Sequence, residues 1–157
     1  MTGLSALQGP VSQSRDLLSV GELAGAGTGF VDARTVDFQK GDVNLPASRW
    51  FASMVTLYEE DASADQAFRI LVRDFLGRDE NARSRDVPEL GSDAVLIPKA
   101  VVGSQEGPGV AYIWRIRNLV LMAVGAPGLP EDRRGILRQV RANAEQMNAR
   151  ALQIEAG

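Results

Sequence analysis

Six residues stand out for what they could bind: Arg49, Trp50 and Tyr58 in one apolar stretch, and Tyr112, Trp114 and Arg115 in another. The rings within each stretch are an even number of residues apart, so if the stretch is a strand they project from one face. Set in one sheet, Trp50, Tyr58, Tyr112 and Trp114 would share a face, with Arg49 or Arg115 at its margin. Tyr and Trp line apolar pockets and a guanidinium can fix an anionic group, so this arrangement suits ligand binding. Aromatic rings on strands are more usually core, which is the competing reading of the same residues.

Groups that would support catalysis are scarce. The chain contains no His and no Cys, which removes the commonest general base, any Ser-His-Asp arrangement, thiolate nucleophiles and the usual zinc ligands. Asp32, Asp37, Asp42, Glu59, Glu60 and Asp61 fall near the ends of apolar stretches. There a solvated acidic rim is the ordinary reading, and a catalytic pair the alternative. Gly25-Ala26-Gly27-Thr28-Gly29 invites a phosphate-loop reading, but it follows a helix-like segment and precedes a strand, the reverse of that motif. Asp79-Glu80-Asn81 opens like a calcium loop, yet Ser84 stands where Gly is needed and Leu90 where an acid should close the site. Arg134, Arg138 and Arg141 form a basic stripe at helical spacing, accompanied by Glu131 and Glu145, which describes a solvated helix face. The expectation is a non-enzymatic protein without metal or cofactor.

The elements that must position these residues follow from periodicity. A chain of 157 residues, 45% hydrophobic and 24% charged, fits one domain with a sizeable core. We expect a flexible segment over residues 1–13 and a single domain over 14–157. Leu17, Leu18, Val20 and Leu23 suggest a short helix within Ser14–Leu23. Phe30–Phe38 and Arg49–Tyr58 alternate as strands. Ser63 and Gln66 form a capping-box pattern ahead of Ala64, Ala67, Phe68, Leu71 and Phe75, an amphipathic helix ending at Gly77. Residues 78–93 show no apolar period and read as a surface loop. Val95–Val102 is a strand that Pro98 assigns to an edge, with Lys99 beside it as a charge that deters pairing with other chains. Val110–Val124 reads as a hairpin turning at Arg117-Asn118, where Asn accepts a positive φ. Ile136, Val140, Met147 and Ile154, with Leu137, Ala144 and Ala151, line a long terminal helix that starts near Pro130. The fold class is therefore α+β: one antiparallel sheet of about five strands packed against two main helices, which we place on one side of it.

The formal net charge is −3 and the pI is near 5.0, without the positive footprint of a nucleic-acid binder. No run approaches the ~20 apolar residues of a membrane-spanning helix. Met1–Arg15 lacks the basic and apolar regions of a signal peptide.

The order of phrases DLLSVGEL, GF, EEDASADQAF, VPELGSDAV and YIWRIRNLVLMAV before a terminal helix resembles small exported lipoproteins and extracytoplasmic sensor-like domains of actinobacteria and related GC-rich bacteria. Those domains loosely include the extracellular domains of mycobacterial serine/threonine kinases. The resemblance spans about residues 16–155, although this chain lacks the lipid-bearing Cys and the paired Cys found among such proteins. It implies an extracytoplasmic or secreted sensing or binding role, with a cytoplasmic one as the alternative, and it transfers no catalytic residue. The resulting expectation is a module that holds a small or amphiphilic ligand between sheet and helices at Arg49, Trp50, Tyr58, Tyr112, Trp114 and Arg115. The competing expectation is an interaction protein or accessory subunit, a homodimer included, that docks through its sheet face or C-terminal helix.

Overall fold

Among the described residues, alternating apolar residues over most of the strand stretches close into one antiparallel sheet of six strands. The computed structural model describes residues 29–40, 49–101, 109–126 and 133–156, with side chains for 29–34, 51–101, 109–126 and 133–153. The strands are β1 (Phe30–Lys40), β2 (Arg49–Tyr58), β3 (Arg85–Asp86), β4 (Ala94–Ala100), β5 (Gly109–Ile116) and β6 (Leu119–Ala126). Their spatial order is β1-β2-β6-β5-β4-β3, so the β5–β6 hairpin is central. The helices are α1 (Asp61–Gly77) and α2 (Arg133–Ala156), and neither is long and apolar enough to cross a membrane. The expected segment 1–13, the helix within 14–23, the glycine run 25–28 and the helix start at Pro130 lie outside the described residues.

The expectation of helices on one side of the sheet is corrected. The buried residues of α1, namely Ala64, Ala67, Leu71 and Phe75, pack with Met54, Tyr58, Ile97, Ile113 and Met122. Those of α2, namely Ile136, Val140, Ala144, Met147 and Ala151, pack with Phe51, Leu96, Tyr112, Trp114 and Leu121 on the other face. Both faces of the central strands must therefore be apolar, which is why β5 and β6 read as nearly continuous hydrophobic runs. The outcome is three layers, helix on sheet on helix.

Local chemistry departs from expectation at four points. Helix α1 begins at Asp61 with Glu60 in the capping position and no side-chain cap, so Ser63 lies inside the first turn. There it leaves no room beside Gly29, where an added Cβ would fall 2.7 Å from the Ser63 hydroxyl. The hairpin's positive φ, 51°, falls on Arg117. Asn118 instead ties the hairpin to β2, its carbonyl accepting from the Tyr58 N–H and its side-chain amide donating to the Tyr58 carbonyl, each at 2.9 Å. Strand β4 is not the outermost, because the two residues of β3 pair with Leu96 and Val95; Pro98 lies beyond that pairing, where the missing N–H costs nothing. Finally, the expected loop 78–93 contains β3 and a 3₁₀ turn, Pro88–Leu90, that buries Leu90 against the α2-side core.

Candidate functional site

Register decides which of the six singled-out residues meet. Met54 of β2 and Ile113 of β5 both lie opposite Met122 of β6. Even-numbered residues of β2 therefore share a face with odd-numbered residues of β5, and a shift of one residue exchanges every side chain between faces. Tyr58 consequently points to α1, whereas Tyr112 and Trp114 point to α2. The expected common face for these rings is not formed. Arg49 and Trp50 occupy the start of β2 opposite Lys40 and Gln39, and their side chains lie outside the described residues.

Tyr58 is closed off completely. It has no exposed surface, Phe30 meets it edge-on at 6.3 Å between ring centroids, and burial pushes its phenol up to about 12. Arg115, beyond Ile113 on the α1 side, is a clasp. Its guanidinium donates to the Asp93 carboxylate at 2.6 and 3.1 Å and to the Arg117 carbonyl at 2.8 Å, and it lies 3.9 Å from Asp65 of α1. These acceptors occupy the cation that was expected to await an anionic ligand. Trp114 is wholly buried on the α2 side, and its indole N–H has no acceptor among the described residues.

Tyr112 is different. It sits at the base of a cleft also lined by Val87, Glu89 and Leu90 from the 3₁₀ segment and by Arg141, Ala144 and Glu145 from α2. The last three fall at i, i+3 and i+4, which is what brings them to one side of a helix. The cleft is a shallow surface depression: the enclosed volume is only about 10 Å³, far below the ~300 Å³ at the low end of small-molecule pockets. Its floor is apolar and its rim carries mixed charge. Arg141 donates to Glu145 at 3.0 Å. Burial raises the Tyr112 phenol above its ordinary value, Arg141 and Arg85 oppose that shift, and Glu145 and Glu89 add to it. Both phenols are thus held in the protonated form near pH 7, where the Tyr112 hydroxyl can donate or accept a hydrogen bond.

Of the residues at this cleft, Tyr112 alone belongs to the six chosen from sequence. Arg141 and Glu145 were legible as a polar helix stripe, but the sheet residue beneath them was not. Among the described residues no group of three or more His, Cys, Asp or Glu side chains could hold a metal ion.

Comparison with protein-family models and with curated proteins finds no match. Among solved structures, the extracellular domain of PknH from Mycobacterium tuberculosis is similar, with a TM-score of 0.54 and 12% identity, over 91% of this chain and 79% of that one. The two share a fold. The expected likeness to extracytoplasmic sensor-like domains therefore holds at the level of architecture.

Proposed function

We propose that this chain is an extracytoplasmic, sensor-like binding module without catalytic activity, and that it holds one end of a small or amphiphilic ligand in the cleft between β5, α2 and the 3₁₀ turn. The observation that carries this reading is the convergence of Tyr112, Arg141 and Glu145 over an apolar floor of Val87, Leu90 and Ala144. An apolar group on that floor would bring a polar head within reach of the phenol and the guanidinium. With Glu89 and Glu145 beside Arg141 and Arg85, the local charge is balanced, which favours a neutral or zwitterionic head over a multiply charged anion. A cleft this small grips an end of a ligand and does not engulf it. The shared architecture with an extracellular domain supports the location.

Native mass spectrometry of the protein purified from its own host tests this. A retained mass on the wild type that is lost in Arg141→Glu and Tyr112→Ala is the expected result. A bare wild-type protein, or an adduct indifferent to both substitutions, would overturn the reading.

A further inference from the structure

Away from the cleft, β1 ends the strand order and its outer side has no neighbour among the described residues. It is 11 residues long, and an outer strand of that length presents a row of backbone donors and acceptors to any other strand. Near its start Phe30 and Val31 are 41% and 49% exposed. Which groups face outward follows from β2. Tyr58 directs its N–H and carbonyl to Asn118 at the β6 side, and Thr56, two residues earlier, points the same way. Ala33 is paired with Thr56, so its own N–H and carbonyl turn away from β2, to the free edge. Consistent with this, the Ala33 N–H is met at 2.9 Å by the carboxylate of its neighbour Asp32.

Asp32 and Arg34 flank that outward residue. Both project from the same face, their side chains are 61% and 76% exposed, and within the chain they approach only to 3.8 Å. We propose that β1 pairs antiparallel with β1 of a second copy of this chain about a twofold axis through Ala33. In that register the two Ala33 residues exchange N–H to carbonyl hydrogen bonds, Asp32 lies opposite Arg34 of the second copy, and Arg34 lies opposite its Asp32. The axis is selected by charge. Moving it by one residue sets Asp32 against Asp32 or Arg34 against Arg34, and like charges directly opposite repel. In the single chain the Asp32 carboxylate accepts from the Ala33 N–H; on pairing the carbonyl of the second copy's Ala33 takes over that N–H, and the carboxylate is released to accept from the Arg34 guanidinium opposite.

The absence of Cys makes the register directly readable. Opposed residues in a hydrogen-bonded antiparallel pair have Cα atoms about 5.5 Å apart, within disulfide range. Mild oxidation of Ala33→Cys is expected to give a covalent dimer that Thr35→Cys does not give. Light scattering after size exclusion is expected to show a wild-type dimer whose dissociation constant rises about tenfold or more in Asp32→Arg. Asp32→Arg combined with Arg34→Asp should restore it, and circular dichroism should show all variants folded. A monomeric wild type, a dimer untouched by Asp32→Arg, or cross-linking through Thr35 in place of Ala33 would overturn the proposal.

Discussion

The two faces of the sheet are built to different specifications. On the α1 face, Tyr58, Leu71, Met54, Ile113 and Met122 have no exposed surface and Phe75 almost none. On the α2 face Phe51, Leu96, Tyr112, Met147 and Ala151 keep a little, and the cleft opens there. Trp114, Val140 and Ala144 are as fully buried as the α1 face, so both helices hold the fold, and the α2 layer differs in leaving a cleft at its rim. Substitutions should separate the closed face from the cleft.

The largest effect is expected at the closed face. Leu71→Ala removes a side chain with no room to collapse into and should cost about 2–5 kcal/mol in denaturant unfolding, whereas Tyr112→Phe, which removes one hydroxyl at the cleft, should cost about 1 kcal/mol. Equal losses would break the distinction. Next is a pH effect on the same face. The Tyr58 phenol, at about 12 when folded, binds its proton more tightly than the unfolded chain's tyrosine near 10. Stability from this residue is therefore full below pH ~10 and is lost as pH rises through ~12, by about 2–3 kcal/mol in all. Tyr58→Phe should flatten that alkaline slope in pH-dependent unfolding.

Gly29→Ala tests how β1 is seated on α1. Gly29 has a φ of +84° and its added Cβ would meet the Ser63 hydroxyl, so a loss of about 1–3 kcal/mol is expected. A second change, Ser63→Ala, should recover part of it by removing the clash but not the strain. Two arginines give the finest comparison. Removing Arg115 frees Asp93 and the Arg117 carbonyl and should cost about 1–3 kcal/mol, while removing Arg141, which pairs with Glu145 in solvent, should leave thermal unfolding unchanged. Arg141→Ala should instead raise the Tyr112 phenol further in an ultraviolet pH titration and leave Tyr58 where it is. A shift at Tyr58 would mean that the two faces communicate.

Much of the architecture can be read from the residues alone. Alternation marked Arg49–Tyr58 and the β5–β6 hairpin, and the spacing of Ala64, Ala67, Leu71 and Phe75 marked α1, because these periods are properties of a single element. Leu90 escaped notice because one buried Leu inside a charged stretch leaves no period to detect. The residues that line the cleft were only partly legible. Tyr58 and Tyr112 are both tyrosines in apolar strands, and their local sequences carry no information about which helix each will face.

What this sequence determined by itself was chemical repertoire and element type: without His or Cys whole classes of mechanism are absent, and hydrophobic periods of two and of three to four residues set strand and helix. Only the tertiary structure decided which residues meet. Met122 lies between Met54 and Ile113, and that one register, made by hydrogen bonds between strands distant in the chain, sends Tyr58 into a sealed core and leaves Tyr112 beneath Arg141.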